Sequence, residues 1–240
     1  MDLSKLRTLP RDQLERMAEM CDLDTKLPTS DLVRQLSKIF KGVEERKARY
    51  TRVEQLGVKG KEGTVFLVKD RSGHEYAMKT FSAAKSDRNL EREAVLLGKA
   101  AEFGIAPALI EYDTGENYIV MEKLETSLFD YMKAHGGKLS NAMQQELIRL
   151  FKKLDSIEIF HADPSPLNFM LDKEGKIRAI DFGFAKHIDD KVIKEHGTSR
   201  VNMKFMPVGF ILKMRGLVEP SSLGTLLRYV SPEDRARLGL

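Results

Sequence analysis

The run His161-Ala162-Asp163-Pro164-Ser165-Pro166-Leu167-Asn168-Phe169-Met170-Leu171 is followed, ten residues past Leu171, by Asp181-Phe182-Gly183. Ile177, Ala179 and Ile180 lead into Asp181. Two carboxylates and a carboxamide are thereby placed around one short hairpin. Such a set suits phosphoryl transfer, which needs a carboxylate to orient the attacking hydroxyl and oxygen ligands for magnesium. Aspartate and asparagine supply the hard oxygen donors that Mg2+ prefers. His161, among apolar neighbours, reads as a packed structural histidine rather than a proton shuttle.

Upstream, Leu56 to Val65 carries Gly57, Gly60 and Gly63, every third residue, directly before a strand. Lacking side chains, glycines let the backbone approach phosphate oxygens and offer its N–H groups to them. A hairpin turn that needs glycine explains the same spacing. Lys79 lies 16 residues after Gly63 in the apolar strand Tyr76-Ala77-Met78-Lys79-Thr80-Phe81. Its ammonium can hold phosphates as a point charge. It would need a carboxylate to place it, and Glu93 on the following helix is the candidate. Helical spacing barely separates Glu93 from Glu91, and a surface Glu–Lys pair is the alternative reading.

The elements that must position these groups follow from periodicity. Pro10 opens a helix with Leu14, Met17, Ala18 and Cys21 on one face, and Thr29 or Ser30 caps a second with Leu32, Val33, Leu36 and Phe40. Residues 41–50 read as a charged bridge. Val65–Val68 and Tyr76–Lys79 read as strands joined by turn chemistry at Asp70–Gly73. A helix is expected from about Ser86 to Phe103, then short strands at Leu109–Tyr112 and Tyr118–Met121, then mainly helices from Ser127. Strands followed by helices indicate an α+β protein rather than an alternating parallel sheet.

The 240 residues suffice for one two-lobed domain, or for one domain with a short appendage. Hydrophobic residues at 42% and charged residues at 32% fit a soluble globular chain. The net charge of +4 suits a phosphate-bearing ligand without calling for nucleic acid. One cysteine, Cys21, excludes an internal disulfide framework. No secretory signal is expected, and there is no run of ~20 apolar residues to cross a bilayer. The expectation is an intracellular, soluble protein of cytoplasm or nucleus, without a membrane partner.

The set as a whole, from the glycine-rich loop and the Ala77-Met78-Lys79 strand to His161-x-Asp163-x-x-x-x-Asn168 and Asp181-Phe182-Gly183, resembles protein kinases over roughly residues 50–190. The resemblance implies a two-lobed kinase-like fold, with ATP and Mg2+ as cofactors and a protein substrate. Beside the helical appendage expected at 1–45, it implies an N-lobe at 50–124 and a shortened helical C-lobe at 125–240. Lys79 would contact phosphates and pair with Glu93, Asp163 would orient the substrate hydroxyl, and Asn168 and Asp181 would bind Mg2+. Gly57, Val58, Gly60 and Gly63 would cover the phosphates. Val65 and Ala77 would sandwich the adenine from above and Met170 from below. Met121 would be the gatekeeper, with the backbone of Glu122 and Leu124 on the adenine edge.

The pattern has departures. Val58 stands where the first loop glycine is usual, with Gly57 one place earlier. Ser165 stands two after Asp163, where conventional Ser/Thr kinases carry a lysine that helps neutralise the γ-phosphate. A small hydroxyl there, together with the absence of an Ala-Pro-Glu after Gly183, is similar to RIO-type and small KEOPS-associated kinases and to compact kinases of large DNA viruses. KEOPS-associated kinases act in a complex, so a partner complex is one expectation. Thr198 and Ser199 fall where an activation segment could be phosphorylated, and a plain solvated loop is the alternative.

A Ser/Thr protein kinase is therefore the leading expectation. A small-molecule kinase and a nucleotide-dependent scaffold or ATPase switch are the alternatives. Residues 1–40 resemble SAP-like or Rho-N-like helix–extension–helix modules, some of which bind nucleic acid. Residues 1–50 hold eleven basic and nine acidic side chains, without a clear basic stripe, which favours a packed helical cap.

Overall fold

The computed structural model describes residues 3–47, 49–57, 60, 63–82 and 84–239, so the expectation for Val58 lies outside the described residues. The chain divides into two units, 1–53 with 68–74, and 54–67 with 75–240.

The first unit is built on α1 (Arg11–Met20) and α2 (Thr29–Lys47). Leu6, Leu14 and Leu36 are fully buried between them, and Leu9, Met17, Val33 and Phe40 pack around these three. Arg11 ties the connection down, donating to Thr29 Oγ1 at 3.0 Å and to the Thr25 carbonyl at 2.7 Å. The helix α2 runs on to Lys47, where the sequence suggested only a charged bridge. Glu44, Glu45, Arg46 and Lys47 are good helix formers, so a charged run prolongs the helix instead of ending it.

The second unit carries a five-stranded sheet in the order β1-β2-β3-β5-β4, with β1 (Tyr50–Leu56) and β2 (Gly63–Asp70) reaching across the division. The remaining strands are β3 (Glu75–Phe81), β4 (Leu109–Asp113) and β5 (Tyr118–Glu122). β3 and β5 pair antiparallel, with Ala77 opposite Met121 and Lys79 opposite Ile119. Between β3 and β4 runs α3 (Asp87–Glu102), whose inward face is Leu90, Glu93, Ala94, Leu96, Leu97 and Ala100. A single carboxylate thus sits inside an otherwise apolar stripe.

Helices dominate beyond Glu125. They are α4 (Leu128–Ala134), α5 (Asn141–Ser156), α6 (Asp190–His196), α7 (Val201–Lys213), α8 (Gly224–Leu227) and α9 (Pro232–Leu238). Serine caps start several of them, as periodic apolar runs require. Ser127 Oγ accepts the Asp130 N–H at 3.0 Å, and Ser140 Oγ accepts the Met143 N–H at 3.2 Å. Short strands are interleaved with the helices: β6 (Thr126–Ser127), β7 (Ile159–Phe160), β8 (Phe169–Leu171), β9 (Ile177–Ala179) and β10 (Lys186–His187). β8 and β9 form a hairpin whose turn is closed by Asp172, which accepts the backbone N–H groups of Glu174 and Lys176 and pairs with Arg178 at 2.7 Å.

Phe151, Phe169, Phe182 and Phe210, all fully buried, join α5, the β8–β9 hairpin and α7. Phe151 meets Phe169 edge-on at 5.6 Å, and Phe169 lies 6.0 Å from Phe210. Gln144, also buried, binds the C-terminal turns to α5, donating to the Leu139 and Ser222 carbonyls and accepting from Thr225 and Leu226. The sheet-rich first part and helical second part make this an α+β fold.

Gly63 is set by the sheet itself. A Cβ there would lie 2.0 Å from the Thr80 carbonyl oxygen on β3, too close for any side chain. Gly63→Ala is expected to destabilise the protein by about 1–3 kcal/mol, as overpacking does. Urea denaturation reads this, and an unchanged midpoint would show that β2 moves aside freely.

Candidate active site

Lys79 is 8% exposed. Its Nζ lies 2.7 Å from Glu93 Oε1 and 2.8 Å from Asp181 Oδ1. Glu91 is exposed and Glu93 buried, so the helix presents Glu93 to the strand and turns its neighbour to solvent. Burial alone would lower the lysine pKa, but the Glu93 and Asp181 carboxylates outweigh it and hold it above its ordinary value. For Asp181, burial acts upward and the Lys79 ammonium outweighs it, so the pKa falls below the usual carboxylate value.

Asp181 takes a left-handed backbone, φ 60°, and its side chain accepts the Gly183 N–H at 3.3 Å. Ala162, just before Asp163, is left-handed too, at φ 64°. Non-glycine residues in this region carry a small strain that surrounding contacts must impose, and such residues cluster at functional sites. The contacts here are specific. His161 is fully buried, places Nε2 2.9 Å from the Ile180 carbonyl and meets Phe182 edge-on at 5.0 Å. Burial pushes its pKa down, so the ring is neutral and Nε2 carries the donated proton. The histidine thereby links the residue two before Asp163 to the residue just before Asp181.

Asn168 is buried, and its backbone makes the other link. Its N–H reaches the Ser165 carbonyl at 2.9 Å, and its own carbonyl accepts the Ile180 N–H at 2.9 Å. Asp163 Oδ1 accepts the Ser165 N–H at 3.1 Å and the Lys213 ammonium at 2.8 Å. Burial tends to raise the Asp163 pKa, but Lys213, the Ser165 N–H and the Asn168 side chain bring it below the ordinary value. Asp163 is therefore an ionised hydrogen-bond acceptor and a weak base, suited to orienting a hydroxyl and taking its proton late.

On the sheet side, Ala77 and Met121 are cross-strand partners, and Lys79 follows Ala77 on the same face. Val65 and Met170 are partly buried, and Leu124 is buried. The Glu122 N–H is held by the Ala108 carbonyl at 2.9 Å. Gly57 has φ 69°, and the Gly60 N–H donates to the Gly63 carbonyl at 2.9 Å. Among the described residues there is no group of three or more His, Cys, Asp or Glu side chains that could hold a metal ion. Asn168 and Asp181 nonetheless suit Mg2+, which commonly takes one or two protein ligands and completes its shell with phosphates and water.

Residues 50–207 match the family model of the protein kinase domain. The chain belongs to the protein kinase domain family. Its kinase domain is 32% identical over 152 residues to a cAMP-dependent protein kinase, catalytic subunit-like, of Caenorhabditis briggsae, covering 58% of this chain and 39% of that protein. It is 32% identical over 150 residues to the cAMP-dependent protein kinase catalytic subunit PRKX of Mus musculus, covering 58% and 42%. With the human putative serine/threonine-protein kinase PRKY the figures are 30% over 154 residues, 58% and 54%. The chain thus spans about two fifths to one half of the length of these relatives. No helix among the described residues of this kinase chain is long and apolar enough to cross a membrane.

Several residues at this kinase site escaped the sequence reading. Lys85 also reaches Glu93, at 2.7 Å from Oε2, and stacks its ammonium over Phe81. Asn202, fully buried, accepts the His161 N–H at 3.1 Å and donates to the Ile159 carbonyl at 2.7 Å. Asp155 holds the first turn of α7 through the N–H groups of Asn202 and Met203. Only the apolar setting of Asn202, between Val201 and Met203, hinted at any of this.

Removing Glu93 takes a carboxylate from two lysines at once and leaves Lys79 with Asp181, whereas removing Lys79 leaves Glu93 with Lys85. Glu93→Ala is expected to cost about 3–5 kcal/mol and Lys79→Ala clearly less, read by urea unfolding. Equal losses would show that Lys85 contributes nothing. The cluster also dictates a pH response. Asp181's depressed pKa gives a contribution fully present above 3.8 and lost as pH falls through its lower folded value. Lys79's raised pKa gives one fully present below 10.5 and lost as pH rises through its higher folded value. Against Asp181→Asn, the wild type should lose its advantage only in acid.

Proposed function

We propose that this chain is an ATP- and Mg2+-dependent serine/threonine protein kinase. The observation that carries the reading is the buried Lys79 ammonium bound to both Glu93 and Asp181. An ammonium so placed is rigid, charged and one side chain away from a metal-binding carboxylate. Nucleotide phosphates with Mg2+ are the ligand that uses both. The printed names of the relatives, cAMP-dependent protein kinase catalytic subunits and a serine/threonine-protein kinase, support a protein hydroxyl as acceptor.

In this reading Lys79 holds α- and β-phosphate oxygens, kept in place by Glu93. Asn168 and Asp181 ligate Mg2+, which would shield the phosphate charge. Gly57, Gly60 and Gly63 let the loop approach the phosphates, and Val65, Ala77 and Met170 pack on the adenine. Met121 lines the back of that pocket. Glu122, whose N–H is taken by Ala108, offers only its carbonyl to the adenine edge, and Leu124 offers its N–H. Asp163 orients the acceptor hydroxyl. The bond from the γ-phosphorus to the ADP oxygen breaks, a bond to the serine or threonine oxygen forms, and the hydroxyl proton passes to Asp163 and on to water.

Ser165 supports the finer placement near RIO-type, KEOPS-associated and compact viral kinases. The polypeptide acceptor would be a protein presenting a serine or threonine.

Purified protein with Mg2+ and γ-labelled ATP tests the reading. Label should appear in serine and threonine of a peptide library or of the protein itself. Asp163→Asn should lower transfer by about 10²–10⁴-fold while ATP is still bound. Full transfer by that variant would remove Asp163 from its role. ATP bound by the wild type without transfer or hydrolysis would turn the reading to a nucleotide-binding scaffold.

A further inference from the structure

Phosphoryl transfer builds and moves negative charge between the attacking oxygen and the departing ADP, and a preorganised cation beside that path lowers the barrier. The loop around Asp163 contains no cation of its own: from His161 to Leu171 there is neither lysine nor arginine, and the position two after Asp163 is Ser165. The cation that stands against Asp163 comes from 50 residues away. Lys213, in the last turn of α7, puts Nζ 2.8 Å from Asp163 Oδ1.

We infer that Lys213, delivered by α7, is the charge-neutralising residue of the transfer step, contacting the γ-phosphoryl group in place of a lysine within the loop. This rests on the kinase reading above.

The rest of α7 fits that task. Its residues meet the Asp163 loop at three points along one side. Asn202 at the start accepts the His161 N–H. Gly209 faces Pro164 so closely that a Cβ there would fall 2.4 Å from the proline ring. Lys213, one turn beyond Gly209, reaches Asp163. Positions separated by seven and then four residues lie on one helix face, so a single rigid element aligns with the loop residue by residue. Asp155 anchors its first turn and Phe210 packs against Phe169 at the base of the β8–β9 hairpin.

The chemistry of the pair points the same way. Lys213 and Asp163 are partly open, with side chains 47% and 23% exposed, and ion pairs of that kind add little to stability. An ammonium has three N–H donors, and the Asp163 bond uses one. A hydroxyl bound to the same carboxylate oxygen lies within about 5.5 Å of Nζ, the sum of two hydrogen-bond lengths. The remaining donors are therefore close to the phosphoryl group as it leaves ADP and joins that hydroxyl. The bonds broken and formed are those already given, and Lys213 acts only as a hydrogen-bond donor.

The test compares full-length wild type, Lys213→Ala, and the double variant Lys213→Ala with Ser165→Lys, in Mg2+-dependent transfer from ATP and in binding of a fluorescent ATP analogue. Lys213→Ala is expected to lower kcat by about 10²–10³-fold with KM for ATP and analogue affinity within about threefold of wild type. A lysine restored from the loop side should recover at least tenfold. A purely structural role predicts no such rescue. Lys213→Ala with wild-type or higher kcat, or a loss matched in nucleotide affinity and not rescued, overturns the inference while leaving the kinase reading intact. A wild type that binds ATP and transfers nothing overturns the kinase reading itself, and the role of Lys213 with it.

Discussion

A lysine ammonium is expensive to bury, and this fold is arranged so that Lys79 is never buried alone. Its two carboxylate partners come from distant places, Glu93 from α3 and Asp181 from the end of the β8–β9 hairpin. For both contacts to exist, β3 must present Lys79 and not its neighbours, α3 must turn one glutamate inward, and the chain after β9 must bend through a left-handed residue. Sheet register, helix phase and hairpin geometry are therefore coupled through one cation. Lys85 adds a second positive charge to Glu93, so the carboxylate stays compensated if Lys79 turns toward a ligand.

The second half of the site is organised by backbone rather than by charge. His161 and Asn168 both bond to Ile180, one through a ring nitrogen and one through a carbonyl. That pair of bonds places Asp163 and Asp181 in a common frame, although eighteen residues separate them in the chain. A neutral histidine serves this purpose well, because a fixed tautomer keeps its donor aimed at a carbonyl and its buried ring packs on Phe182 and Phe169. Helix α7 completes the frame from outside, with Asn202, Gly209 and Lys213 each matched to one residue of the Asp163 loop.

The glycines show how one residue type serves separate constraints. Gly57 has a positive φ, Gly63 lies where β2 touches the β3 backbone, and Gly209 lets a helix close on a proline. At Gly63 the sheet by itself demands the absence of a side chain, as the hairpin reading of the glycine-rich stretch required.

What the sequence determined by itself was local. Apolar periodicity placed α1, the start of α2 and α3, strand-like runs and turn residues placed β2 to β5, and motif spacing singled out Lys79, Asp163, Asn168 and Asp181 together. These depend on interactions within a few residues or on chemistry that tolerates few residue types. The continuation of α2 through a charged run was misread because polar residues form helices as readily as they form linkers. The short strands β6, β7 and β10 gave no signal, since two residues carry no period. Only the tertiary structure decided that Glu93 rather than Glu91 faces Lys79, that Lys85 shares that carboxylate, and that Lys213 stands beside Asp163. Each is a contact between side chains brought together by helix phase and packing, and one-dimensional spacing contains no information about which surface lysine a distant helix will carry to a loop.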